Sequence, residues 1–106
     1  MILANLDLQT TNSKVFIYQV PDSFQVTLTI NIVNRNASQE AHVRVAFPPS
    51  GTFDDSWWVE YDTPVLPKDR LMIPGVPLQA GDNIYIQSDT NNLSIVVYGL
   101  KDAVVS

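Results

Sequence analysis

The sequence contains no cysteine and only one histidine, His42. Disulfide bonds, thiolate zinc sites and cysteine nucleophiles are therefore excluded. There is no G-x-S-x-G motif to pair with the histidine, and His42 alternates with Val43 and Val45, which places it on the outer face of a strand. We predict no catalytic residue, no metal ligand, no cofactor and no enzymatic activity.

Positive charge is also scarce, with six Lys and Arg against eleven Asp and Glu and a net charge of -5. Nucleic acids and anionic membrane surfaces are bound by clustered cations, so neither is predicted as a partner. No apolar run approaches the roughly 18 residues of a membrane-spanning helix. The segment MILANLDLQT lacks the charged and apolar regions of a signal peptide.

Several segments of the sequence alternate apolar and polar residues with a period of two. FQVTLTINIVN alternates strictly, and EAHVRVAF, NIYIQS and NLSIVVYGL repeat the pattern, which indicates half-buried antiparallel strands. Prolines and turn segments such as FPPSG, IPGVP and QAGDN separate them, and only one helical turn, near Asp54–Asp55, is expected. The sequence predicts one all-β domain over residues 1–106, with about eight short strands in an antiparallel β-sandwich or a jelly-roll-like small barrel.

The segment DDSWWVEYD places two tryptophans side by side. If it is a strand, Trp57 faces the core with Val59 and Tyr61, and Trp58 points outwards. Three interpretations of Trp58 stay open: packing beneath the PPSGTF or TPVLP loop, anchoring an interface between chains, or stacking on a sugar ring.

Acidic residues surround the tryptophans. Such carboxylates suit a glycosidase or a calcium site when they converge in a cleft. We rank both below the other interpretations, because acidic loops are usually solvated. The residues in question are Asp54, Asp55, Glu60 and Asp62.

Three further segments are candidates for contact with other chains. KVFIYQV is apolar on both faces, which suggests a position between two layers or at an interface. VLPKDRLMIPGVP is predicted to be an extended arm or loop lying on a partner, and MILANLDLQT to dock on an adjacent subunit. The candidate interface or ligand contacts are Trp58, Tyr18, Phe16, Leu71 and Ile73.

The order of these segments along the chain resembles that of a known group of proteins. VFIYQVP, then NRNASQEAHVRVAF, VEYD, L-x-A-G-D-x-I-x-I and a closing strand that ends in YGL resemble small virion structural proteins of tailed bacteriophages, over roughly residues 10 to 100. The resemblance implies a non-enzymatic subunit for capsid decoration, a neck or a tail. It would contact copies of itself and a major capsid or tail protein, and reside in the virion after assembly in the host cytoplasm.

An alternative stays open beside that resemblance. The chain would be a carbohydrate-binding module of a host-recognition device, using exposed aromatics on one face. Trp58 would be one of them, and Tyr18, Tyr85 and Tyr98 could supply others.

Overall fold

A computed structural model describes residues 1–49 and 53–104. Within these ranges the chain forms eight strands and one short 3₁₀ turn at Asp55–Trp57. The predictions of an all-β domain and of one helical turn near Asp54–Asp55 are therefore confirmed. The strands are β1 (Ile2–Leu8), β2 (Val15–Gln19), β3 (Phe24–Asn34), β4 (Ala41–Ala46), β5 (Trp58–Val65), β6 (Arg70–Gln79), β7 (Asn83–Ser88) and β8 (Leu93–Ala103).

The strands form two four-stranded antiparallel sheets, so the fold is a β-sandwich and not a closed barrel. Sheet 1 has the order β1-β8-β3-β6 and sheet 2 has the order β2-β7-β4-β5. The centre of sheet 1 is the long pairing of β3 with β8, which runs without interruption from Phe24 opposite Ala103 to Asn34 opposite Leu93.

The core lies between the inner faces of the two sheets. Period-two alternation supplies these faces, as the sequence predicts. Buried side chains from sheet 1 meet buried side chains from sheet 2, among them Val26, Leu28, Ile30, Ile32, Leu93, Ile95 and Val97 from the first and Val43, Val45, Ile84 and Ile86 from the second.

The two long sides of the sandwich differ. Strands β1 and β2 lie together on one side, which we call the open side. Strands β5 and β6 lie on the opposite side, joined by a tight turn in which the Asp69 N–H donates to the Leu66 carbonyl. We call this the proline side, because Pro64 lies within β5 and Pro74 and Pro77 lie within β6.

The prediction of an arm or loop over VLPKDRLMIPGVP is wrong, because most of this segment is strand β6, paired with β3. Proline is tolerated there because β6 is an edge strand whose outer N–H groups have no partner strand. A bulge with Gly75 at φ +65° accommodates the break in register. Leu71 and Ile73 stand opposite Ile32 and Ile30 and pack against the core.

The N-terminal segment, for which docking on an adjacent subunit stays a prediction, is paired within its own chain. It forms β1, which pairs with β8 of its own chain and so belongs first to its own sheet. The outer edge of β1 and outward-facing side chains such as Ile2 and Asn5 remain exposed. No helix among the described residues has the length and apolar character that crossing a membrane requires.

A buried asparagine ties the proline side together. Asn34 is fully buried at the end of β3, and its side-chain amide donates to the carbonyls of Gln39 (2.8 Å) and Val65 (3.0 Å). Its Oδ1 accepts from the backbone N–H of Asn36 at 3.0 Å. The side chain therefore links sheet 1 to the end of β5 in sheet 2, with its amide fully hydrogen-bonded.

Candidate functional site

The tryptophan pair lies at the entry to β5, and the prediction for its first member is wrong. Trp57 closes the 3₁₀ turn and is 38% exposed, and Val59 and Tyr61 are exposed as well. Two bulges between β4 and β5, together with a positive φ at Asp62, shift the alternation of the strand. As a result Val65, and not Trp57, is the residue of this segment that enters the core.

Trp58 belongs to a group of five rings on the outer face of sheet 2. It meets Phe53 edge-to-face at 5.2 Å between centroids and Tyr61 at 6.4 Å. Phe53 meets Tyr85 at 5.4 Å, and Tyr85 meets Phe16 at 5.7 Å. We call these five residues the aromatic cluster. Each T-shaped contact stabilises the cluster by about 0.5–1.5 kcal/mol beyond the contribution of burying the rings.

A small residue makes room for this cluster. Ala46 stands opposite both Trp58 and Tyr85 in the strand register and is fully buried. Phe53, which comes from the loop before the 3₁₀ turn, contacts both of those rings. Part of Trp58 is thus covered by the PPSGTF segment, as one of the three interpretations predicts. Residues 50–52 of that segment lie outside the described residues.

Two cations flank the aromatic cluster. Lys14 Nζ lies 3.8 Å from the ring centroid of Phe53, and the Arg44 guanidinium lies 3.9 Å from that of Tyr61. Arg44 also donates two hydrogen bonds to Asp62, at 2.7 and 3.2 Å, and these hold the pKa of the Asp62 carboxyl below its usual value. Arg44 is therefore fixed between a ring and a carboxylate.

A depression of about 480 Å³ opens beside the aromatic cluster. Trp58 and Phe53 supply apolar wall, and Asn12, Gln87 and Asp55 supply hydrogen-bonding groups. Asp55 accepts a hydrogen bond from the Trp58 indole N–H at 3.1 Å, which fixes the orientation of the ring. The lining of this depression thus combines aromatic rings with hydrogen-bonding and charged groups.

Of the acids near Trp58, Asp54 and Asp55 line this depression, whereas Glu60 and Asp62 do not. Glu60 accepts a hydrogen bond from the Thr63 hydroxyl at 2.6 Å, and Asp62 is engaged by Arg44. Asp54 accepts from Ser56, which lowers the pKa of its carboxyl and caps the 3₁₀ turn. In the part of the chain that the structure describes, no three His, Asp or Glu side chains are grouped to hold a metal ion.

His42 lies on the outer face of sheet 2 between two carboxylates. Its Nδ1 is 2.7 Å from Asp89 and its Nε2 is 2.8 Å from Glu40. The hydrogen bond to Asp89 is the largest cause of a raised His42 pKa. Partial burial acts to raise the Asp89 pKa, but hydrogen bonds from the His42 backbone N–H and ring keep it below its usual value.

The outer face of sheet 1 has a different character. Its centre is made of apolar, hydroxyl and amide side chains, and the charged residues of that face, Asp7, Arg70 and Asp102, lie at its ends. Ile2 is 65% exposed and Leu100 is 69% exposed. We call this centre the uncharged face; it comprises Ile2, Asn5, Thr27, Thr29, Asn31, Met72, Pro77, Val96, Tyr98 and Leu100.

The five residues nominated from the sequence do not form one site. Trp58 and Phe16 meet in the aromatic cluster, joined through Phe53 and Tyr85. Tyr18 is half-buried against the core on β2, and this burial raises the pKa of its hydroxyl. Leu71 and Ile73 are in the other sheet and face inwards.

Sequence patterns missed Phe53, Ala46 and the uncharged face. Phe53 lies in a loop, so no periodicity marks it as a partner of Trp58. The sequence did carry a signal for the uncharged face: the polar outward positions of β3 are Gln, Thr and Asn, which carry no charge. No family model, no curated protein and no solved structure matches the chain.

Proposed function

We propose that this chain is a non-enzymatic structural subunit that works through protein–protein contacts in a symmetric assembly. The assembly we propose is a tailed-phage particle, in which the chain serves as a capsid decoration, neck or tail accessory protein. Its partners are then a major capsid or tail protein and further copies of itself. The order of sequence segments described above supports this choice of assembly.

The observation that carries the proposal is the uncharged face. Large exposed side chains that lie together without charge are typical of surfaces that another protein covers. Ile2 and Tyr98 stand opposite each other on neighbouring strands, and the Tyr98 hydroxyl lies 3.9 Å from the Met72 sulfur on the far side of β3. Uncharged side chains thus extend across all four strands of sheet 1.

Binding to assembled particles tests the proposal. We expect the purified protein to co-sediment saturably with phage shells or tails. Leu100→Lys should weaken this binding about tenfold or more, because it places a charge in an apolar contact. Val59→Lys is the matched control: Val59 is 53% exposed but lies on β5, away from the uncharged face. Absence of any binding to shells or tails would overturn the proposal.

A second candidate function is carbohydrate binding, and the depression beside Trp58 favours it. Sugars present an apolar ring face and a rim of hydroxyls, which match the Trp58 and Phe53 wall and the amides of Asn12 and Gln87. Phe16 and Tyr61, 52% and 57% exposed, extend the aromatic surface on either side.

The tryptophan pair provides a matched test of this candidate. Trp58→Ala should abolish binding on a glycan array, whereas Trp57→Ala should leave it intact, since Trp57 does not line the depression. Equal loss in both variants, or no binding by the unaltered protein, would reject carbohydrate binding.

A further inference from the structure

The sandwich has four edge strands, and an edge strand exposes unpaired backbone N–H and C=O groups. Proteins usually block such edges with proline, bulges, short strands or charge, because a free edge pairs readily with another chain. The four edges of this protein are β1 and β6 in sheet 1, and β2 and β5 in sheet 2.

Both edges of the proline side are blocked. Strand β6 carries two prolines and the Gly75 bulge, so its outer edge has missing donors and a break in direction. Strand β5 carries Pro64 and two bulges against β4. Neither strand presents a regular row of donors and acceptors.

Strand β2, on the open side, is blocked in another way. It has five residues, and its register with β7 shifts between Phe16 and Tyr18. A short, bulged strand offers too few aligned groups for stable pairing.

Apart from a bulge between Ile2 and Ala4 and one charged residue, Asp7, strand β1 has none of these features. From Ala4 to Leu8 it pairs with β8 without a break, and it contains no proline. No strand in the described part of the chain pairs with its outer edge. Leu3, Ala4 and Leu6 are only partly buried against the core, so apolar surface continues up to this edge.

We propose that β1 pairs antiparallel with β1 of a second copy of this chain, about a two-fold axis, so that the two copies of sheet 1 join into one eight-stranded sheet. This deepens, and rests on, the proposed function, since it supplies the contact between copies. Full overlap of Ile2–Leu8 places Asn5 opposite Asn5 and Ala4 opposite Leu6. The apolar layer then runs from one copy into the other.

Charge is compatible with this self-pairing. The single charged residue of β1 is Asp7, which in full overlap lies opposite Leu3. The two Asp7 residues are then four positions apart along the pair, about 13 Å, where solvent and salt screen their repulsion. Asp7 is also paired with Arg35 within its own chain.

The rest of the open side continues the contact. Strand β2 lies beside β1, and the two-fold axis places the β2 strands of both copies on the same side of the joined sheet. Phe16, exposed on β2, and the half-buried Tyr18 therefore lie close to the boundary between the copies. Two of the contact residues predicted from the sequence, Phe16 and Tyr18, would then lie at the same interface.

Cysteine trapping tests the pairing, because the chain has no cysteine of its own. Asn5→Cys places two thiols directly opposite each other, within the Cα separation of a disulfide. Under mild oxidation we expect a covalent dimer to form about a hundredfold faster than in the control, because paired thiols have a millimolar effective concentration. The control is Gln79→Cys, which is equally exposed on the outer face but lies on β6.

Sedimentation velocity keeps the test independent of the cysteine variants. The unaltered protein should be a dimer at high concentration, and Asn5→Lys should shift it to a folded monomer, since like charges directly opposite each other destabilise a strand pair. A protein that stays monomeric throughout, or an Asn5→Cys variant that cross-links no faster than the control, would overturn the inference. Binding of that monomer to shells would leave the proposed function standing, so the two failures are distinguishable.

Discussion

The two long sides of this sandwich differ in how their edge strands are protected. On the proline side, Pro64, Pro74 and Pro77 remove backbone donors, and bulges bend both strands. On the open side, β1 keeps a regular ladder with no proline. Three of the seven prolines thus lie in the strands of one side and none in those of the other. Under the proposed self-pairing, the proline side is the one blocked against pairing with another chain and the open side is the one that pairs.

The largest expected effect on the free energy of unfolding comes from comparing two glycines, Gly99 in β8 next to the open side and Gly75 on the proline side. Gly99 lies in β8, which holds β1 in place through the bond from the Gly99 N–H to the Met1 carbonyl at 2.9 Å. A Cβ added there would lie 2.7 Å from the Leu28 Cα and would overlap the Thr27 carbonyl oxygen. Gly99→Ala should therefore lower the free energy of unfolding by about 3 kcal/mol, measured by urea denaturation.

Gly75 on the proline side is the matched control. A Cβ there meets no atom within 4 Å, so only its positive φ of 65° resists substitution. Gly75→Ala should lower the free energy of unfolding by about 1 kcal/mol. Equal losses for the two variants would contradict the close approach of β8 to β3.

Asn34 gives an intermediate effect confined to the proline side. Asn34→Ala leaves the carbonyls of Gln39 and Val65 without their side-chain donor in a buried position. We expect a loss of about 2 kcal/mol in the free energy of unfolding. Hydrogen exchange should speed up near the end of β5 more than in β1. Uniform acceleration across both sides would contradict a local role for Asn34.

The smallest effect concerns His42, which belongs to neither side. Its pKa is raised in the folded protein, so its bridge between Asp89 and Glu40 stabilises the fold fully below the unfolded value of about 6.5. That contribution is lost as the pH rises through the folded pKa. NMR titration of the His42 ring should give a midpoint above 6.5, and Asp89→Asn should lower it.

The pH range of the His42 titration also tests whether self-association uses the open side. Neither β1 nor β2 contains a histidine. Self-association through β1 should therefore stay constant over the pH range in which His42 titrates. A dimer that dissociates in step with His42 would place the contact on sheet 2 instead.

Much of the fold could be predicted from alternation. Strands β3, β4, β7 and the first half of β8 could be predicted as half-buried strands, because most of their inward positions are Val, Ile or Leu. Strand β6 could not, because Pro74 and Pro77 resemble loop signals and are tolerated only at an edge. Edge positions depend on sheet order, which local pattern does not encode.

The candidate site was predictable only in part. Trp58 was correctly assigned to the outer surface, but Trp57 was not, since bulges in β5 break the period on which the assignment relied. The partners of Trp58 come from distant segments: Tyr85 lies on β7 and Phe53 in a loop. Their meeting depends on the tertiary arrangement and on the small size of Ala46.

The most direct test of an assembly subunit is its mass in solution, measured by sedimentation velocity over a wide concentration range, alone and with assembled phage shells or tails. We predict a dimer that the Asn5→Lys substitution dissociates, and saturable binding to shells or tails that Leu100→Lys weakens. A protein that remains monomeric at every concentration and binds neither shells nor tails would contradict the account, and would turn attention to the depression beside Trp58.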